Sequence, residues 1–318
     1  MAGFPHSFPF DPSYGYTLES LLRVEAPVAP EDFADFWQAR YRRALAVAPE
    51  PRLQPWPEHR EGYAVYDLEY RSTDDFTLGG WLLMPQGRPV RRGLVVGHGY
   101  GGRDAPDFDL PVADAVLLFP CFRGLSRSRR PPISDQPYWH VLHDIDQRDR
   151  YILGGCVEDL WLAVSVLTGL FPAIAGHIGY MGISFGGGIG ALALPWDARI
   201  RRAHLSVPTF GHHPLRLELP TVGSGCAIRD YQRRHGNVMD TLRYYDAASA
   251  ATQVDVPVQV AAALFDPAVA PPGQFAIYNA LAGPKSLYVL EAGHFDYPAK
   301  ARQESELREV LADFFAEL

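Results

Sequence analysis

The chain has 318 residues, of which 47% are hydrophobic and 21% charged, with a formal net charge of -8. That length suits one large α/β domain, residues 1–318, with apolar material enough for a sizeable core. The acidic balance argues against nucleic acid as the main partner, because phosphate binding needs clustered Lys and Arg. The densest basic run, residues 123–130, is short and reads as a solvated or subunit-contacting loop. Cys121, Cys156 and Cys226 lie far apart and form neither a metal pattern nor a disulfide framework; the first two are expected to be buried small hydrophobes. The first residues show no basic start followed by an apolar run, so no secretory signal is expected. No stretch reads as apolar for long enough to cross a membrane, and a cytoplasmic location is expected.

The first segment is irregular and rich in proline. A helix is expected over residues 31–47, where Phe33, Phe36, Trp37, Tyr41, Ala44 and Leu45 share one face, with Asp32 as its N-terminal cap. Residues 63–70 and 76–84 read as strands joined by a hairpin at Ser72 to Asp75. Residues 94–96 and 115–119 are apolar on both faces, as central strands of a parallel sheet are. Residues 156–167 read as a helix, 178–181 as a strand and 189–194 as a helix. Strands follow over 257–264 and 286–290, then a last helix from 301 to the end. Alternating strands and helices imply an α/β fold with a mostly parallel sheet. Residues 1–60 form an N-terminal helical extension and 61–318 the core. Two segments stand apart: 122–150 as a long excursion and 208–239 as a lid.

Gly182-Ile183-Ser184-Phe185-Gly186 is the strongest local motif, because it follows a strand and precedes a helix. A serine hydroxyl is a weak nucleophile and needs a base beside it. A sharp strand-to-helix turn exposes its oxygen, and Gly186-Gly187-Gly188 gives that turn room. A glycine-rich turn with only a packing role is the rival reading of these letters. In an α/β-hydrolase fold the order is serine, carboxylate, histidine. Asp266 follows the 257–264 strand and His294 follows the 286–290 strand, so three strand ends bring Ser184, Asp266 and His294 to one edge. His140 and His143 precede the serine, His177 begins the strand at its wrong end, and His212 and His213 follow no clear strand. His98 reads as structural. An oxyanion would be held by the backbone N–H groups of Phe185 and Tyr100, the latter in the loop His98-Gly99-Tyr100-Gly101-Gly102.

These residues resemble carbohydrate-esterase family seven, the acetyl xylan esterases and cephalosporin-C deacetylases. The resemblance runs nearly end to end. It rests on the segment from Pro30 to Trp37, His98-Gly99-Tyr100, Arg123-Gly124 and the segment from Asp149 to Gly154. It continues through the serine motif, Phe265-Asp266, Pro271-Pro272, the segment from Phe275 to Asn279, and Gly293-His294. It implies Ser184, Asp266 and His294 as the triad, Tyr100 and Phe185 as the oxyanion hole, and no cofactor or metal. The implied reaction removes acetyl groups from small oxygen esters such as acetylated xylo-oligosaccharides. The implied assembly is a homo-oligomer, a hexamer. Two positions depart from the family pattern: Leu125 stands for the usual Gln and Phe295 for the usual Glu. They leave room for a divergent carboxylesterase with another acyl or alcohol preference. Two rivals remain: a peptidase of the prolyl-oligopeptidase kind, and a non-catalytic α/β-hydrolase scaffold that binds a ligand or partner.

Overall fold

A computed structural model describes residues 4–318. The apolar runs of the sequence become strands of one sheet. Its strands are β1 (Arg52–Pro55), β2 (Tyr63–Arg71), β3 (Thr77–Pro85), β4 (Arg92–Gly97), β5 (Ala115–Pro120), β6 (Ile178–Ile183), β7 (Ile200–Ser206), β8 (Val258–Ala263) and β9 (Lys285–Leu290). Their order is β1-β2-β3-β5-β4-β6-β7-β8-β9. The first three strands are antiparallel and β3 runs antiparallel to β5, while every pairing from β5 through β9 is parallel. This mixed, mostly parallel sheet flanked by helices is the α/β-hydrolase architecture.

Central strands are apolar throughout because both faces are covered. In β5, Val116 and Leu118 join the core on one side, whereas Ala115, Leu117 and Phe119 join the core on the other. The helix Ile152–Leu170 packs into the first core, and Leu311 and Phe315 of the helix Lys300–Ala316 into the second. Each fully buried side chain of this size stabilises the fold by about 1.5–3 kcal/mol. Cys121 and Cys156 are buried there and unpaired.

Two strands carried no sequence signal. β1 is a short, mostly exposed edge strand, and β7 begins Ile200-Arg201-Arg202, whose charges mask its buried Ala203 and Leu205. The expected first helix spans Phe33–Leu45. Its inner face differs in one respect: Leu45 is 46% exposed, and Arg40 is buried instead. Asp32 occupies the cap position but its side chain caps nothing there. It accepts from Tyr244 Oη at 2.7 Å.

Two expectations need correction. The helix Ile152–Leu170 is long and apolar enough to cross a membrane, but 83% of its apolar window is buried in the fold, so its composition reflects a core position. Arg123 is not solvated: it is 5% exposed, and its Nη2 and Nε reach Asp159 at 2.6–3.1 Å. Burial of a charge is tolerated only with such pairing. The stretch 122–150 does leave the sheet, with no strand between Pro120 and Ile152, and it packs back on the core through Phe122, Leu125, Val141 and Ile145. The segment 208–239 contains two helices, His213–Glu218 and Ser224–His235.

Candidate active site

β6 ends at Ile183 and a helix begins at Phe185, so the chain must reverse at Ser184. Ser184 has φ 54° and ψ -111°, a conformation that L-residues adopt only when surrounding structure enforces it. Two bonds enforce it: Ser184 N–H donates to Ser206 O of β7 at 2.8 Å, and Gly186 N–H donates to His98 O at 3.0 Å. A Cβ on Gly186 would lie 2.8 Å from that same His98 oxygen, so only glycine lets the His98 loop approach the turn.

Asp266 follows β8 and is fully buried. Its Oδ1 accepts from the N–H groups of Ala268 and Val269, each at 2.9 Å. Its Oδ2 accepts from Gln274 Nε2 at 2.9 Å and faces His294 Nδ1 at 2.7 Å. His294 follows β9, and its Nε2 lies 2.8 Å from Ser184 Oγ. Residues 110 positions apart thus meet because three parallel strands end on one edge. Gly293 is needed for that meeting, since a Cβ there would lie 2.5 Å from Asp266 Oδ2.

The electrostatics separate His294 from the other histidines nearby. Burial opposes a charged His294, but the charge of Asp266 and its hydrogen bond together outweigh burial and raise the imidazole above its usual 6.5. His98 and His140 are pushed down to about 4, chiefly by burial, and stay neutral near pH 7. Both are structural. His98 Nδ1 donates to Gly99 O at 2.7 Å, and its Nε2 accepts from Phe122 N–H at 3.1 Å. His140 Nε2 donates to Arg123 O at 2.9 Å, which leaves Nδ1 to accept from Tyr100 Oη at 3.3 Å. His140 therefore orients Tyr100, a role that its place in the sequence did not suggest.

The backbone N–H groups of Tyr100 and Phe185 have no bonding partner among the described residues. Phe185 is the first residue of its helix, where the N–H has no intrahelical acceptor. The Tyr100 and Phe185 ring centroids stand 4.2 Å apart, and a Cβ on Gly99 would lie 3.7 Å from Ser184 Cβ.

The irregular N-terminal arm was not expected at the site, yet it contacts the loops that carry Asp266 and His294. Pro12 O accepts from Asp266 N–H at 3.0 Å. The Phe4 ring meets Phe265 at 5.2 Å and Phe295 at 5.9 Å, and Phe8 meets Phe295 at 6.2 Å. Phe295 thus supplies an apolar surface for this arm. Leu125 is 1% exposed and fills the core rather than facing the site. Gln274 was also missed; only its place just inside a helix that starts with two prolines, downstream of Asp266, hinted at it.

This sheet, with a serine, a histidine and a buried aspartate hydrogen-bonded in series at its strand ends, defines a hydrolase of the α/β-hydrolase class. The family model for acetyl xylan esterase (AXE1) matches residues 17–309. The chain belongs to that family, and it is a carboxylic ester hydrolase. It is similar in structure to the acetyl xylan esterase from Paenibacillus sp. R4, at 23% identity and a TM-score of 0.81, over 93% of this chain and 99% of that one. Acetyl Xylan Esterase 1 from Thermoanaerobacterium sp. JW/SL YS485 is 19% identical, with a TM-score of 0.78, over 95% and 99%. An acylaminoacyl peptidase of Pyrococcus horikoshii shares the fold at 15% identity and a TM-score of 0.62, over 80% of this chain but 42% of that chain.

Proposed function

We propose that Ser184 is the nucleophile of an acetylesterase acting on small oxygen esters, acetylated sugars among them. The observation that carries this reading is His294, which bridges Ser184 Oγ at 2.8 Å and Asp266 Oδ2 at 2.7 Å. His294 Nε2 accepts the serine proton as Oγ attacks the ester carbonyl. Asp266 holds the ring in that tautomer and stabilises its cation. The N–H groups of Tyr100 and Phe185 receive the oxyanion, where fixed donors act without reorganisation. His294 returns the proton to the departing alcohol, and water then repeats the sequence on the acyl-enzyme. Membership of the acetyl xylan esterase family supports acetate as the acyl group. The same acyl transfer extends to deacetylation of a cephalosporin. The assembly that accompanies this reading is a homo-oligomer, which light scattering measures.

Replacing Ser184 with Ala lowers hydrolysis of p-nitrophenyl acetate by at least about 10³-fold while circular dichroism is unchanged. Full activity in that variant removes Ser184 from the mechanism. A fluorophosphonate probe labels the wild type at Ser184; a scaffold without an activated serine does not react.

A further inference from the structure

The segment between the elbow and the second half of the triad holds a cluster of buried polar atoms without partners. Among the described residues, Thr209 Oγ1, His213 Nδ1, Arg216 Nη1 and Thr221 Oγ1 are all buried and unbonded. Arg216 is the most demanding of them. It is 8% exposed and forms no ion pair among the described residues. Its Nη2 donates to Ser224 Oγ at 2.9 Å, and its guanidinium carbon stands 5.3 Å from the Phe210 ring centroid.

A buried cation without a counter-ion is costly, by several kcal/mol. The separate cavity of about 550 Å³ is lined by Arg40, Arg43, Arg123, Arg130 and Arg150; the buried Arg40 and Arg123, and also Arg43 and Arg150, are paired with carboxylates, while the exposed Arg130 donates to Asp75 O. Asp246 is part of the electrostatic surroundings of Arg216, but it does not pair with it. Its oxygens accept from the N–H groups of His212, His213, Ala248 and Ser249.

Arg216 and Thr221 line one small space of about 10 Å³, together with Phe210, Ala268 and Val269. That volume seats one water-sized group. Ala268 and Val269 are the residues whose N–H groups hold Asp266. The Phe210 ring lies 5.9 Å from that of Phe185, whose backbone faces the oxyanion. The unpaired donors therefore line a space bounded by the loop that holds Asp266 and, through Phe210, one ring away from Phe185, on the segment read from sequence as a lid.

We infer that Arg216 and Thr221 form a receptor for one carboxylate oxygen carried by the ester substrate. This inference rests on the esterase reading and narrows it: the preferred substrates are esters bearing a carboxylate near the scissile bond. An ionised carboxylate supplies acceptors only, which matches a guanidinium N–H and a hydroxyl that are both free to donate. The carboxylate belongs either to the acyl chain or to the alcohol.

The test compares matched ester pairs. Mono-p-nitrophenyl succinate against its methyl ester reads the acyl side. O-acetyl-lactate against its methyl ester reads the alcohol side. The wild type favours the carboxylate member of one pair by roughly tenfold or more in kcat/KM, the worth of a charge-assisted hydrogen bond. R216Q brings that ratio to near one, and R216K gives an intermediate ratio because the charge stays while the planar fork is lost. A wild-type ratio at or below one in both pairs overturns the inference, and needs no variant to fold. A ratio that R216Q leaves unchanged also overturns it and makes the space a water site. Turnover of p-nitrophenyl acetate by the wild type separates the two readings: without it the esterase assignment itself fails.

Discussion

Gln274 Nε2 lies 2.9 Å from the same Asp266 oxygen that His294 Nδ1 approaches at 2.7 Å. The amide also donates to Val269 O at 2.7 Å, and its Oε1 accepts from Ala263 N–H at 2.9 Å. One buried side chain therefore ties the end of β8 to the carboxylate and to the loop that cradles it. Gln274 touches no reacting atom; it is a positioning residue.

Replacing Gln274 with Leu removes these bonds at little change in volume. The variant loses about 1–3 kcal/mol of stability, because the Ala263 N–H and the Asp266 carboxylate each lose a buried partner. Urea unfolding measures that loss. Its kcat falls while KM for p-nitrophenyl acetate changes little, since the carboxylate is freed to turn but the acyl site is not touched. Unchanged kcat shows that the backbone donors alone fix Asp266.

The pH profile follows from the raised His294. The base must be neutral to accept a proton, so kcat/KM falls on the acid side through a value above the usual 6.5. Asp266→Asn removes the charge that raises it. The acid limb then moves to lower pH, and the rate falls by about 10⁴-fold. Stability carries the opposite sign of pH dependence. A group with its folded pKa raised stabilises the fold below its unfolded pKa, near 6.5, and that contribution is lost as pH rises through the folded value. His294→Gln abolishes this component, so urea midpoints at pH 5.5 and 8.5 differ by less in the variant than in the wild type.

Gly293→Ala places a methyl group 2.5 Å from Asp266 Oδ2 and 2.9 Å from Val207 Cγ1. Something must shift, and the parts nearest are the carboxylate and the His294 loop. A displacement of this size costs about 10²-fold in kcat, because proton transfer depends on alignment. Steady-state kinetics read it directly. Wild-type kcat in Gly293→Ala shows that the loop relaxes without disturbing the hydrogen bond.

The amino-acid sequence by itself carried the periodic features. Strands apolar on both faces announced a covered parallel sheet, and the glycines around Ser184 announced a tight turn. Chain order pointed to Asp266 and His294, because strands of a parallel sheet deliver their ends to one edge. Tertiary structure decided what has no period. Arg123 lies in a run of arginines, but only the fold reveals the buried Asp159 that takes it into the core. His140 precedes the serine in sequence and stands behind Tyr100 in space. The arm around Pro12, Gln274 and the unpaired Arg216 are single residues in irregular or polar stretches. Their roles depend on partners far along the chain, and local propensity holds no record of such a partner. The physical reason is that backbone periodicity is a local property, whereas a hydrogen bond or a buried charge is fixed by whatever group the completed fold sets beside it.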